Sequence, residues 1–310
     1  MNKGPWYAVG AYATWGLLPV YLKWLQHVPA VQLISHRILW SCLMLCSAIL
    51  LLRQWAAFRA AVLTPRVLKV YLAAAMLIGI NWLVYVWAVN SGFIIETSLG
   101  YFINPLISVF LGVVLLHERL RPWQWVAIGF ATAGVLYLTL AYGHPPWISL
   151  TLAFTFGTYG LMKKIGPLGS LYGLMLETGI LLVPALLYLL YSDIIGQGAF
   201  LHTGAVSDGL LVGTGLVTAV PLLMFAPAAP RIPLSLLGVL QYIAPTIQFL
   251  LGVLVYREPF THSQFIGFGS VWAGLIIFGA EGFFAHRGQT ALAEQIKGIG
   301  RSNIPNIPGT

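Results

Sequence analysis

The segment from Pro105 to Gly134 occurs twice in this chain, the second time 140 positions downstream and without a gap. Pro105, Ile107, Leu111-Gly112-Val113, Glu118, Gln124, Gly129 and Ala133-Gly134 recur as Pro245, Ile247, Leu251-Gly252-Val253, Glu258, Gln264, Gly269 and Ala273-Gly274. Thr14, Gly16 and Lys23 recur as Thr155, Gly157 and Lys164 at an offset of 141. One ancestral unit is therefore present twice, and the fold has to accommodate two similar halves.

Composition decides the solvent in which they sit. Of 310 residues, 59% are hydrophobic and 8% charged, against about 25% charged in an average soluble domain. A soluble core of this length cannot hide so much apolar surface, so the apolar runs are read as membrane spans. Ten are expected: Tyr7–Trp24, Leu33–Leu52, Val70–Val89, Thr97–Leu116 and Trp123–Ala141, then Trp147–Met162, Leu171–Tyr191, Leu210–Ala229, Leu234–Val255 and Gln264–Phe284. The first follows Met1-Asn2-Lys3-Gly4-Pro5 with no small-residue cleavage site behind it and reads as an uncleaved span. Cys42 and Cys46, four apart in an apolar run, suit helix packing and not a disulfide framework or metal site. The formal charge of +8 is scattered between spans, which speaks against a nucleic-acid partner.

The distribution of that charge orients the chain. With the N-terminus inside, Lys3, Arg53, Arg59, Arg66, Lys69, Arg119, Arg121, Lys163, Lys164, Arg231, Arg287, Lys297 and Arg301 all face the cytoplasm. Lys23, Arg37 and Arg257 remain outside, a strong bias under the positive-inside rule. Each copy then holds five spans, an odd number, so the second copy must enter the membrane upside down. The expected fold is an all-α polytopic membrane protein of ten transmembrane helices in two inverted five-helix repeats, residues 1–142 and 143–286. Both termini are expected in the cytoplasm, with residues 287–310 a flexible tail and a surface helix near Leu292 to Lys297.

Chemistry-bearing residues are sparse. Glu177 is the acid well inside a span, where a carboxylate costs about 2.5–3.5 kcal/mol to insert. It reads either as a proton-responsive group facing a central cavity or as a hydrogen-bonded structural tie. Its repeat equivalent is His36, beside Arg37; the arginine reads as a charge candidate or as a side chain snorkelling to the outer interface. Tyr101, Pro105 and Ser108 share one face of the fourth span, and Gln241, Pro245 and Gln248 the equivalent face of the ninth. Each proline leaves a carbonyl without its usual donor, and Pro221 on the eighth span does the same. These three prolines are expected helix kinks. Asn81, Trp82 and Tyr85 on the third span, Tyr12 and Trp15 on the first, Tyr159 on the sixth, and Asn104, Thr218 and Tyr242 complete a set of cavity candidates for an amphipathic solute. The alternative for each aromatic is lipid contact or core. Gly129-x-x-x-Ala133 and Gly269-x-x-x-Ala273 assign the fifth and tenth spans to close packing.

There is no phosphate-binding loop and no His-Glu-x-x-His pair in the sequence, so neither ATP chemistry nor zinc is expected. No catalytic residue, metal or cofactor is assigned, and an enzyme is not expected.

The two units, each with a Pro-containing fourth helix, a Gly-Val-x-x-x-x-Glu turn and a Gly-rich fifth helix, resemble the EamA repeats of the drug/metabolite transporter (DMT) superfamily. Ser35-His36-Arg37, Gly79-Ile80-Asn81-Trp82, Trp87-Ala88-Val89-Asn90, Ser98 through Pro105, and Gln241 through Thr246 resemble its RarD-like bacterial branch. The resemblance implies a ten-helix transporter of the bacterial inner membrane that moves small metabolites outward, amino acids and related toxic compounds or drugs among them. The implied partners are a small-molecule solute and membrane lipid, and nothing requires an oligomer. Two rival readings are a metabolite receptor or scaffold that binds without moving its ligand, and an intramembrane enzyme acting on a lipid-linked substrate.

Overall fold

Apolar runs that must satisfy every backbone N–H and C=O internally become helices in lipid, and the computed structural model of the chain holds no strand among its described residues, which are 3–91, 93–142, 146–255, 262, 263 and 265–282. The helices are α1 (Gly4–Lys23), α2 (Ala30–Leu51), α3 (Trp55–Val62), α4 (Pro65–Asn90), α5 (Ile94–Leu115), α6 (Pro122–Tyr142), α7 (Trp147–Ile165), α8 (Ser170–Ile194), α9 (Ala205–Ala228), α10 (Leu234–Gln241) and α11 (Ile243–Leu250). A π-helical turn covers Leu251–Val255, and α12 runs Phe265–Gly282. Among the described residues, seven spans are long and apolar enough to cross a bilayer: α2, α4, α6, α8, α9, α12 and the Leu234–Val255 run. The apolar part of α5 is shorter, Leu99–Leu115. Large apolar side chains stay exposed along these helices, as on α4, where Leu72, Met76, Ile80, Leu83 and Trp87 form one lipid-facing stripe. The protein is a multi-pass, all-α membrane protein.

Two departures from the sequence reading have local causes. The stretch between the second and third spans contains α3, whose Phe58 and Val62 are buried while Arg59 is exposed. Eight residues are too short to register as a span. The ninth span is broken: α10 stops at Gln241 and α11 begins at Ile243. Pro245 has no N–H for the Gln241 carbonyl four residues back, and its ring crowds that carbonyl. Pro105 and Pro221, by contrast, lie inside the continuous helices α5 and α9. The expected tail at 287–310, and Arg257, Glu258 and Gln264, lie outside the described residues.

The chain forms two compact units, residues 1–118 with 142–260, and residues 119–141 with 261–310. Within the first, contacts come in reciprocal pairs. A methyl group added at Gly16 on α1 would lie 2.7 Å from Ile247 on α11, and one added at Gly157 on α7 would lie 2.8 Å from Ile107 on α5. Gly16 and Gly157 are repeat equivalents, and so are Ile107 and Ile247, so each contact is the mate of the other. Equivalent residues also meet directly. Tyr242 donates to the Phe102 carbonyl at 3.0 Å, and the Trp15 and Phe156 rings lie 5.9 Å apart. Position i touching j′ while j touches i′ is the isologous pattern of a two-fold.

The repeated Gly-Val-x-x-x-x-Glu motif acquires a physical role here. Glu118 accepts hydrogen bonds from the backbone N–H groups of Leu234 at 2.5 Å and Ser235 at 2.9 Å, and from the Ser235 hydroxyl at 2.7 Å. Its carboxylate thus caps the first turn of α10, where orphan donors and the helix dipole favour an anion. Lys164 stands 3.7 Å away. Gly112 is required by the same arrangement, because a Cβ there would crowd the Glu118 carboxylate at 2.8 Å.

In the second unit α6 and α12 repeat the reciprocal pattern. A Cβ at Gly134 would meet the Gly267 carbonyl at 2.7 Å, and a Cβ at Gly274 would meet the Ala127 carbonyl at 2.6 Å. The expected close-packing glycines, Gly129 and Gly269, are not the ones used: nothing described lies within 4 Å of a Cβ at either. Both patterns consist of small residues, and only the face that meets the partner helix distinguishes them. Arg121 and Glu281 form an ion pair at 2.8 Å in this unit.

Candidate functional site

A cavity of about 120 Å³ opens inside the first unit. Tyr12, Trp15, Leu18, Pro19 and Leu22 on α1 line it, as do Ile78, Asn81, Trp82 and Tyr85 on α4; both series follow helical spacing and present one face. Gln241, Ala244, Pro245 and Gln248 contribute from the broken α10–α11 segment, with Arg37 from α2, Tyr101 from α5, Phe156 from α7 and Leu222 from α9. The cavity thus lies chiefly along α1, α4 and the α10–α11 segment, while α7 and α5, the repeat equivalents of α1 and the α10–α11 segment, supply one residue each.

The polar groups are held by neighbours. Asn81 donates its side-chain N–H groups to the Leu152 carbonyl and the Thr155 hydroxyl on α7, both at 2.9 Å. Gln248 donates to the Trp15 carbonyl at 3.3 Å. Arg37 donates from Nε to the Thr218 hydroxyl on α9 at 2.9 Å, and its guanidinium carbon stands 5.3 Å from the centroid of the Trp82 ring, within cation–π range. Tyr85 and Tyr101 meet edge to face at 5.8 Å.

Next to this cavity an aromatic layer closes the bundle. Tyr12, Trp15, Phe156, Tyr159 and Phe225 contact one another with ring centroids between 5.7 and 6.2 Å apart. Behind it lies a buried ion pair. Lys163 reaches Glu177 at 2.7 Å, with the two side chains 3% and 2% exposed, and Tyr159 donates to the other carboxylate oxygen at 3.0 Å. Lys163 also sits over the rings of Tyr71 and Tyr159.

Of the sequence candidates, the structure brings Tyr12, Trp15, Arg37, Asn81, Trp82, Tyr85, Tyr101, Gln241, Pro245 and Gln248 to one cavity. The others fall elsewhere. Glu177 does not line it, because Lys163 and Tyr159 occupy both carboxylate oxygens. Tyr159 is spent on Glu177, Tyr242 on Phe102, and Thr218 is buried beneath Arg37. Ser108 is buried and donates to the Asn104 carbonyl, while Asn104 is itself buried with Oδ1 unpartnered among the described residues. His36 is not in the cavity lining and packs on Phe200, ring centroids 5.5 Å apart. Pro105 and Pro221 are buried in their helices. Arg37 does not snorkel to an interface; Thr218 and Trp82 hold it in the cavity wall. The aliphatic lining of Leu18, Pro19, Leu22, Ile78, Leu222 and Ala244 carries no signal that sets it apart from lipid-facing residues.

Residues 2–140 match the EamA-like transporter family. A protein RarD of Streptomyces exfoliatus is 48% identical over 276 residues, covering 89% of this chain and 88% of that protein. The chain belongs to the EamA-like transporters, in their RarD-like branch. The uncharacterized transporter YojE of Bacillus subtilis is 46% identical over 89% of this chain and 93% of its own length. Among solved structures, a crystal structure 19% identical in sequence superposes with a TM-score of 0.64 over 89% of this chain and 96% of that one, which shows the shared fold. As an EamA member of the drug/metabolite transporter superfamily, the chain is a membrane transporter.

Proposed function

We propose that this chain is a secondary carrier that exports small amphipathic metabolites, amino acids and related toxic compounds or drugs among them, by alternating access. The observation that carries the reading is the cavity itself. Amides, phenols and one guanidinium stand in an aromatic wall between helices drawn from both copies, at a helix broken by proline, where carriers of inverted-repeat construction bind their solutes. Two equivalent helix contacts, Gly16 with Ile247 and Gly157 with Ile107, give the bundle paired interfaces that one motion can exchange. The distribution of Lys and Arg supports an inner-membrane location with both termini cytoplasmic. The repeat offset supports copies at residues 1–142 and 143–286, followed by a tail at 287–310.

Purified protein in sealed liposomes, tested with and without an imposed pH gradient, is expected to move labelled solutes from an amino-acid and drug panel without ATP and with saturation and counterflow. Inactivity across the whole panel would overturn this solute class. Binding without flux would favour a receptor.

A further inference from the structure

Arg37 is the single charged side chain among the described residues that line the cavity, and no Asp or Glu joins it there. Of its five N–H donors, the structure uses the one on Nε, for Thr218. Among the described residues it has no ion-pair partner, and its terminal nitrogens have no hydrogen-bond acceptor. This differs from Lys163, a buried cation of the bundle, which meets a carboxylate at 2.7 Å. An intramembrane charge is either paired or turned toward a water-filled space, and an arginine does not discharge by losing its proton. Arg37 therefore offers a permanent, oriented positive charge to whatever enters.

Its orientation is fixed from two sides. Thr218 ties down Nε, and the guanidinium carbon stands over the Trp82 ring, 5.3 Å from its centroid. The terminal N–H groups are left to engage an acceptor in the plane of the fork, the geometry in which a carboxylate makes two parallel bonds. We infer that Arg37 anchors a carboxylate, and that the cavity takes small organic anions with an apolar or aromatic body in preference to amines. Trp15, Phe156 and Leu222 supply the wall for that body. With no acid in the lining, a cationic solute meets only like charge in a low-dielectric space. A zwitterion gains the anchor, but its ammonium finds amide and phenol oxygens in place of a counter-charge. The inference rests on the cavity being the solute site of the carrier reading.

The test uses four solutes that share one body: 3-phenylpropanoate, phenylalanine, 3-phenylpropanamide and phenethylamine. Equilibrium binding to the purified full chain in detergent is measured first, then flux in liposomes. The wild type is expected to hold 3-phenylpropanoate at least about tenfold more tightly than the amide or the amine, with phenylalanine between. Arg37→Gln should abolish that order, and Arg37→Lys should keep part of it. Thr218→Val retains the charge but loses the tie that aims it, and is expected to weaken carboxylate binding by less than Arg37→Gln does. Amine or amide binding as tight as the carboxylate by the wild type overturns the inference, and this arm needs no variant to fold. So does an unchanged carboxylate preference in Arg37→Gln, or no binding of 3-phenylpropanoate at all. The two readings fail separately. Carboxylate-selective binding without flux removes the carrier and keeps the anchor, whereas saturable flux of all four solutes at similar rates keeps the carrier and removes the anchor.

Discussion

Two cations inside the bundle, buried Lys163 on α7 and half-buried Arg37 on α2, are compensated in opposite ways, and the difference separates structure from site. Lys163 and Glu177 close on each other behind the aromatic layer with both side chains almost fully buried. Removing one partner strands the other charge, at a cost of about 3–5 kcal/mol, whereas replacing both by apolar residues is close to neutral. Glu177→Gln is thus expected to lower the melting temperature in detergent sharply. Lys163→Met with Glu177→Leu should recover most of it, and the pH profile of transport by any folded single variant should match the wild type. A Glu177→Gln protein of normal melting temperature with a flattened pH profile would reassign the residue to proton handling. The sequence singles out Glu177 readily, as the lone acid inside a span, but its partner was not legible. Lys163 sits at a span end beside Lys164, where both read as members of the inward charge set, and only the fold turns one toward Glu177. Arg37 misled in the converse way, since a lone arginine near a span end has an inexpensive interfacial solution and what holds it inward, Thr218, is 181 residues away.

Helices are where the sequence spoke most clearly. The repeat aligned the copies to the residue, and the reciprocal contacts of Gly16 with Ile247 and Gly157 with Ile107 fall on those aligned positions. Which small residues face a partner was not legible, because Gly129 and Gly134 differ in helical phase and not in kind. α3 escaped for want of length, and the division of the ninth span could not be told from the intact α5, since Pro105 and Pro245 occupy equivalent positions. The paired glycines support a prediction at this scale. Gly16→Ala and Gly157→Ala each push a methyl group inside contact distance of an isoleucine, an overpacking that costs about 1–3 kcal/mol. Both are expected to lower the melting temperature by similar amounts. Ile247→Ala should rescue Gly16→Ala and Ile107→Ala should rescue Gly157→Ala, with no relief from the exchanged pairings. Rescue by the wrong isoleucine would mean that these contacts are not what limits stability.

At the scale of the whole molecule, the equivalence of the copies and the inequality of their packing carry different information. α5 packs on α7 more extensively than the α10–α11 segment packs on α1, and the cavity lies along the looser of these two equivalent interfaces. On the proposed alternating-access reading, these two equivalent interfaces, one closed and one holding a cavity, belong to one end state, and the other state exchanges their roles. That exchange leads across the membrane only if the copies are inverted, which makes their orientation the decisive measurement. In a background with Cys42 and Cys46 replaced by serine, single cysteines in place of His117, after the fourth span, and in place of Arg257, after the ninth, occupy nearly equivalent positions of the two copies. An impermeant thiol reagent applied to intact cells is expected to label the second and spare the first, and permeabilised cells should show both labelled. Labelling of both from outside, or of neither, would place the two turns on one side of the membrane. The repeats would then be parallel, and exchanging the two interfaces would no longer carry a solute from one face to the other.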